Sequence, residues 1–462
     1  MAHEGNDVDT EPFTVEDEPP AQPEPDPAAA IFCRRQFVLL SICFGVNHAT
    51  VTTPLLYAST VLGNDLGQKS DAVLYGMCLL TSLLFATTVQ SLIGSKKGLA
   101  ASMLAYAIYV FFFGIAASQC RETDKTGACT VTTQGMWIFG LVGAFVGGIG
   151  AGVLWTCQGV YFSSICSRVA IAEVKPQPAV TAELAGVFAF WFLLAECLAR
   201  ALSSYLVLKL HFSKGNMFYL YGGVATLVTI IYISFAREME TGERARGSVC
   251  GKVLMAVEQW TDPKTWLLQF TNITFGFVAA YLGGYVNAEI TSKAFNSDSL
   301  GFCGALLSLV ASIMSRVFSP LAAQVGKGPV MCLGAISFFL IGVLSRWGAL
   351  SKGEHNHATI IFYILMGIGR AVYESTNKGI FADFFPGDKS PGAFANVFVF
   401  GTGASTVAFI LGSLSSSPES TPLTVEFYLV IVCAALTVPG FVGASLLKMN
   451  GERRQNRAQL NP

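Results

Sequence analysis

The chain has 462 residues, 52% of them hydrophobic and only 13% charged, with a net charge of −1 and a mean hydropathy of +0.53. Soluble domains carry about 25% charged residues, so most of this chain has no water to face, and the near-zero net charge excludes the basic surface that nucleic acid requires. The composition is that of an all-α membrane protein held in the lipid bilayer, with polar ends.

The first 30 residues hold nine acids, six prolines and no Lys or Arg. Such a stretch buries too little apolar surface to offset the entropy of ordering, so residues 1–33 read as a disordered acidic cytosolic tail. A basic start followed by an apolar run is missing, so this is no signal peptide. The first helix, after Arg34 and Arg35, then serves as the insertion signal. Crossing the hydrocarbon core takes roughly 20 apolar residues. On that measure twelve transmembrane helices are predicted, at roughly 36–61, 72–93, 98–118, 135–163, 180–208, 216–236, 265–290, 299–320, 328–348, 358–382, 391–412 and 424–447. They divide into an N-terminal six-helix bundle (34–236) and a C-terminal six-helix bundle (265–447), with a basic cytosolic tail at 448–462. The linker between bundles, 237–264, contains Arg237, Arg244, Arg246, Lys252 and Lys264. Within it, Gly251 to Trp260 reads either as an amphipathic piece on the membrane surface or as a plain polar connection.

With both termini cytosolic, that side carries 18 Lys and Arg, counting Arg316 at a span end. The opposite side carries 8, counting Arg346, and Arg200, Arg370 and Lys378 fall inside spans. This bias fixes the expected orientation. Of twelve cysteines, Cys120 and Cys129 share the outer loop after span three. In an oxidising compartment they either pair or stay free thiols. The rest serve as apolar fillers or reduced thiols.

Two halves are legible as echoes. Ala185-Gly186-Val187-Phe188-Ala189-Phe190 recurs 210 residues later as Ala395-Asn396-Val397-Phe398-Val399-Phe400. Gly148-Ile149-Gly150 matches Gly367-Ile368-Gly369, Phe44-Gly45 matches Phe275-Gly276, and the Gly94 to Gly98 loop matches Gly326-Lys327-Gly328. The order is the same in both halves, so the expected fold is two six-helix pseudo-repeats of major facilitator type.

Span four reads Gly148-Ile149-Gly150-Ala151-Gly152-Val153-Leu154-Trp155-Thr156-Cys157-Gln158-Gly159-Val160-Tyr161. This resembles the glycine-rich stretch ending in Trp-x-x-Gln-Gly-x-Tyr of the Unc-ninety-three-like family, a branch of the major facilitator group. The lysine-bearing Gly94 to Gly98 loop and Ala393-Phe394-Ala395-Asn396 are similar to that family as well. The resemblance covers roughly residues 36–447 and departs in span ten, where Arg370, Glu374 and Lys378 replace a more neutral helix. It implies either a transporter or a non-transporting partner of another membrane protein, as a channel regulator or trafficking chaperone. It also implies that spans one, four, seven and ten line a central cavity.

A charge near the bilayer centre costs roughly 2.5–3.5 kcal/mol on insertion scales, so such residues face the interior and find partners. Glu196 and Arg200 are four apart on span five, and Arg370, Glu374 and Lys378 form one stripe on span ten. Each set reads either as structural ion pairing or as a solute or coupling site. Glu374 can bridge either neighbouring cation, and Asp383 at the cytosolic mouth is a further partner for the stripe. Three cations less two anions leave +1, which suits an anionic or carboxylate-bearing solute. Alternatively a desolvated Glu374 carries a coupling proton. Tyr373 and Asn377 flank the stripe. Trp155 and Gln158 share a face of span four, as a solute contact or as packing. Asn47 and His48 in span one and Asn272 in span seven lie at matching depths, with His48 a proton relay or a satisfied buried histidine. Glu289 at the outer end of span seven is expected to be solvated, and Pro54 and Pro439 to kink their helices.

No phosphate-cradling loop, nucleophile elbow or zinc helix motif is present, so neither an enzyme nor a cofactor is expected. His355 and His357 alone are too few to hold a metal. The leading expectation is a secondary transporter of a small, anionic solute or ion, with protons as candidate coupling ion.

Overall fold

Polar caps and glycine breaks divide this apolar chain into rods. The computed structural model describes residues 25–239, 256–352, 357–386, 389–415, 417 and 419–460. In chain order the main helices are α1 (Pro27–Val61), α2 (Asn64–Leu84), α3 (Ala86–Ile93), α4 (Ser95–Ala117), α5 (Gln134–Glu173), α6 (Gln177–Leu208) and α7 (Lys214–Phe235). After the linker come α8 (Pro263–Tyr281), α9 (Leu300–Val325), α10 (Lys327–Ser345), α11 (Ile360–Val372), α12 (Lys378–Phe384), α13 (Ser390–Ser413) and α14 (Thr421–Leu460). Thr133, Ser213 and Asp262 each accept a backbone N–H at a helix start, with Pro263 in the first position of α8. Gly94 (φ 82°) and Gly326 (φ 88°) make the tight corners before α4 and α10, which a side chain would strain.

Among the described residues, nine helices are long and apolar enough to cross a membrane. Three further stretches are apolar but interrupted. The first breaks at Phe85 between α2 and α3. The others carry wide π turns, at Leu282–Thr291 after α8 and at Tyr373–Asn377 between α11 and α12. Leu227, Ile230 and Ile233, a three-residue stripe on α7, are each more than half exposed, as a lipid-facing surface requires.

Several boundaries differ from expectation. Residues 27–33, assigned to the disordered tail, are the first turns of α1, because Asp26 accepts the Ala29 N–H at 3.0 Å and Pro27 presets the helical φ. The second apolar stretch starts at Asn64 rather than 72, so Asp71 is helical. The basic tail continues α14 to Leu460. Most of Gly251 to Trp260 lies outside the described residues, but its end is docked: Trp260 Nε1 donates to Asn396 Oδ1 of α13 at 2.8 Å and Asn396 Nδ2 to Ala256 O at 2.9 Å.

Two large apolar cores form, beside two small ones around Phe381 and Phe318. One comes almost wholly from α1–α7, centred on Phe37, Phe44, Tyr57, Phe113 and Phe218. The other is built from α8–α14 and its π turn, around Tyr281, Phe338, Phe362 and Tyr363. Packed onto the first core, Cys120 and Cys129 form a disulfide, Cα atoms 6.0 Å apart, that ties the loop between α4 and α5. Within this loop Asp124 is partly desolvated, which opposes its charge. Bonds from the Thr126 hydroxyl (2.7 Å) and the N–H groups of Ala128 (3.0 Å) and Thr126 (2.8 Å) prevail and hold its carboxyl below the usual aspartate range. A depressed acid stabilises above its ordinary range and loses that contribution as pH falls through its folded value. Hydrogen exchange at the Thr126 and Ala128 amides is therefore expected to accelerate on acidification, beyond the intrinsic pH effect, and Asp124→Asn to remove the extra dependence.

Candidate functional site

A cavity of about 400 Å³ lies between the two sets of helices. The first set supplies His48 and Thr52 (α1), Tyr75 and Cys78 (α2), Tyr106 (α4), Trp155 (α5), and Phe192, Glu196 and Arg200 (α6). The second supplies Phe275 (α8), Asn287, Arg370 (α11), Tyr373, Glu374, Lys378 (α12) and Phe398, Thr402 and Phe409 (α13). The walls are mostly aromatic. Tyr373 stacks flat on Phe275 with centroids 3.8 Å apart, and His48 sits among Phe44, Tyr106, Trp155 and Phe192 with Nδ1 buried and unpartnered.

The charges are graded by depth. Glu196, 1% exposed, receives a bidentate pair from Arg370, Nη1 at 3.0 Å and Nη2 at 2.7 Å. It also pairs with Arg200 one turn along α6. Arg200 in turn donates to Ser308 Oγ at 3.0 Å and Gly304 O at 3.3 Å on α9. Nearer water, Glu374 (31% exposed) pairs with Lys378 (46% exposed) at 2.7 Å. Glu374 therefore does not bridge to Arg370. A fully buried carboxylate needs the planar guanidinium fork more than a half-wet one does, so Arg370 goes across to α6. Asp383 is not a partner of the stripe either; Lys327 holds it at 2.5 Å.

Beyond the cavity, toward the disulfide loop, polar bonds join the two sets. Lys214 Nζ meets Asp298 at 3.0 Å, Ser297 Oγ at 2.7 Å and Gly127 O at 2.8 Å. Ser297 N–H donates to Thr126 O at 2.9 Å, and Gly301 N–H to the buried Tyr57 hydroxyl at 2.9 Å, which also lies against Ser203 and Ser204. Asn287 Nδ2 donates to Leu56 O at 3.2 Å. These contacts run from the loop down to Glu196–Arg370, whereas the opposite end of the cavity reaches the half-exposed Lys378.

The structure thus gathers Arg370, Glu374, Lys378, Glu196, Arg200, Trp155, Tyr373 and His48 around one space. It places Gln158, Asn377, Asn47 and Asn272 outside the lining. Gln158 is half-buried on α5. Asn377 Nδ2 donates to Asn272 Oδ1 at 2.8 Å, and Asn272 Nδ2 to Gln269 at 2.6 Å, a tie between helices. Asn47 Nδ2 bonds Met103 O at 3.1 Å, tying α1 to α4. Glu289, 33% exposed, pairs with the half-exposed Lys293 at 3.0 Å. His355 lies outside the described residues and His357 is exposed; among the described residues no cluster suited to a metal occurs. Sequence reasoning missed Tyr75, Tyr106 and Asn287 as lining residues, and Asp71 and Glu426 as buried carboxyls. Glu426 had a signal, an acid inside an apolar run.

No protein-family model matches the chain. It is 20% identical to Protein unc-93 homolog A of Mus musculus over an alignment of 453 residues, covering 87% of this chain and 92% of that protein. It is 23% identical to UNC93-like protein 3 of Arabidopsis thaliana over 402 residues, covering 81% and 78%. Among solved structures it is similar to the nucleoside transporter NupG, with TM-score 0.60, 11% identity and coverage of 90% of this chain and 99% of that one. It is likewise similar to an inward open conformation of the xylose transporter XylE from E. coli, with TM-score 0.60, 12% identity and coverage of 88% and 95%. The chain is unc-93-like over most of its length, on the fold of the major facilitator transporters.

Proposed function

We propose that this unc-93-like chain is a secondary transporter of a small carboxylate-bearing solute. Its twelve transmembrane helices form two six-helix pseudo-repeats with both termini cytosolic, and the solute moves by alternating access through the cavity between them. One observation carries the reading: the Glu196–Arg370 bidentate pair, which spans the two sets of helices at the cavity wall, 174 residues apart in the chain. Such a bridge fits a bundle pair that must part and rejoin. The arrangement described here, tied on the side of the disulfide loop and open toward Lys378, corresponds to an inward-facing state.

The repeats are supported by equivalent contacts. A Cβ on Gly148 of α5 would lie 2.6 Å from Met77 of α2, and one on Gly367 of α11 would lie 2.7 Å from Val310 of α9. Likewise Gly45 packs against Trp191 and Phe192 of α6, and Gly276 against Gly401 and Ala404 of α13. In each half the first long helix meets the fifth, and the fourth meets the second, at the echoed glycines.

A solute carboxylate would compete with Glu196 for the Arg370 fork, loosening the bridge as it binds. The aromatic walls would hold an apolar body and the Arg370 fork a carboxylate, so the site fits an organic anion. A second reading, a non-transporting regulator or chaperone of another membrane protein, draws on the unc-93 likeness and on the apolar walls. It leaves the cavity without a solute.

The two are separated with purified full-length protein. An aromatic carboxylate such as benzoate and aliphatic dicarboxylates are expected to raise the melting temperature in proportion to occupancy, since a ligand at 100 times its Kd adds about 2.7 kcal/mol. Uptake of the stabilising compound into proteoliposomes should follow. A protein that no carboxylate, nucleoside or sugar stabilises, and that takes up none of them, is no carrier.

A further inference from the structure

Asp71 is a buried carboxyl that the ion network does not use. It lies on α2, two turns in from Gly63, and is 1% exposed, with neither oxygen bonded to any group. It shares a helix face with Leu74, Tyr75 and Cys78, three, four and seven residues on, and all three line the cavity. It therefore sits one turn beyond the cavity, on the side sealed by the Tyr57 and Lys214 contacts. The titratable groups facing it are Tyr75 on its own helix and Tyr109 of α4, the latter's hydroxyl also buried without a partner. No cation faces it among the described residues, and nothing but burial acts on its charge.

The energetics select one charge state. An isolated carboxylate in an apolar interior, with no counter-charge and no donor, costs far more than the neutral acid, and the neutral acid asks only for modest hydrogen bonding. Glu196 shows the contrast within one molecule, since it keeps its charge beneath two guanidinium groups. Glu196 and Asp71, with opposite surroundings, divide the work: one anchors the ion bridge, the other holds a proton. Parting of the outer contacts would bring Asp71 within reach of outer water, where the ionised form no longer carries that cost.

We propose that Asp71 is the proton-carrying group of the transport cycle, loaded from the outer side and sealed as the neutral acid when the outer contacts close. This deepens the carrier reading and rests on it. The step is a protonation only: one O–H bond forms on a carboxylate oxygen with a proton from outer water, and breaks as that proton passes by Tyr75 into the cavity and its inner water, with no electron transfer. Neither Glu374, paired with Lys378, nor Glu426, which has the Arg346 charge nearby and does not line the cavity, nor His48, whose wall is aromatic, offers an equivalent isolated carboxyl.

The test uses the full chain in lipid vesicles. Infrared difference spectra between alkaline and acidic buffer are recorded for wild type, Asp71→Asn and Asp71→Glu. The carbonyl band of a buried carboxylic acid is expected in wild type, lost in Asp71→Asn and shifted in Asp71→Glu. Asparagine imitates the neutral acid in shape and charge, so folding is retained. In the second arm, uptake of benzoate or a dicarboxylate is driven by an imposed proton gradient or by solute exchange. Asp71→Asn should lose the gradient stimulation, at least tenfold where wild type shows it, while exchange persists. A wild-type spectrum without the band, a band unchanged in Asp71→Asn, or undiminished gradient stimulation in that variant overturns the proposal. A wild type that exchanges no solute overturns the carrier reading itself, whatever the spectrum shows.

Discussion

Glu196→Gln is expected to abolish transport while leaving the protein in the membrane. Glutamine keeps the shape and one carbonyl acceptor, so neither α6 nor its neighbours need to move. What it removes is, among the described residues, the only anion within bonding distance of both Arg370 and Arg200. Two guanidinium groups, about a tenth exposed, then face one another across the wall without compensation. Breaking one side of a buried pair costs about 3–5 kcal/mol, most of it the stranded charge. Because the bridge joins the two sets of helices, that cost falls on the closed geometry, and 3 kcal/mol corresponds to roughly a 150-fold shift. Uptake of the stabilising carboxylate should fall by about two orders of magnitude, and the melting temperature should drop. Adding Arg370→Met to Glu196→Gln removes the stranded cation and should restore much of the stability but none of the transport. Arg370→Lys should behave nearly as badly as Arg370→Met in uptake, since an ammonium cannot offer the fork. Full uptake by Glu196→Gln would reduce the bridge to a structural tie.

That pairing was only half visible in the sequence. The i,i+4 spacing correctly presented Glu196–Arg200 and Glu374–Lys378 as local pairs, because a helix places such residues on one face whatever the tertiary context. Arg370 had the same local option in Glu374 and took Glu196 instead. Which acid wins depends on which is drier, and dryness belongs to the assembled bundle. The glycine echoes were readable because close helix contact leaves room for little else, and Gly45, Gly148, Gly276 and Gly367 each stand where a neighbouring helix passes. Asp71 was lost for the opposite reason. The polar run from Asn64 to Asp71 reads as a loop, but Gly63 (φ 80°) lets the helix begin at once, and the run is packed away by α5 and the second set of helices. Asn47, Asn272 and Asn377 show the remaining limit: a buried amide announces a hydrogen bond, and only the fold says whether its partner is a neighbouring helix or a solute.

Tyr57→Phe is expected to open the molecule on the side of the disulfide loop. The phenol hydroxyl, fully buried, accepts the Gly301 N–H at 2.9 Å and lies 3.2 and 3.3 Å from the Ser203 and Ser204 hydroxyls. Phenylalanine fills the same volume, so packing of α1 on α6 is preserved. The Gly301 amide loses its acceptor in a place without water, and an orphaned buried donor costs about 1–3 kcal/mol. In the proposed cycle this bond belongs to the outer-closed state, so the cost biases the equilibrium toward outer-open by roughly 5–150-fold. Cys78 reports the change without an introduced probe. It lines the cavity, is 5% exposed, and in the present arrangement is shielded from the outer side. A membrane-impermeant maleimide added outside right-side-out vesicles should label Cys78 faster in Tyr57→Phe by a factor in that range, with Cys78→Ser as the blank. Lys214→Met removes three outer contacts near the surface, where water replaces them, so its acceleration should be smaller. Labelling at the wild-type rate in Tyr57→Phe would mean that the outer contacts are not a gate, and a carrier without a gate on that side could not alternate.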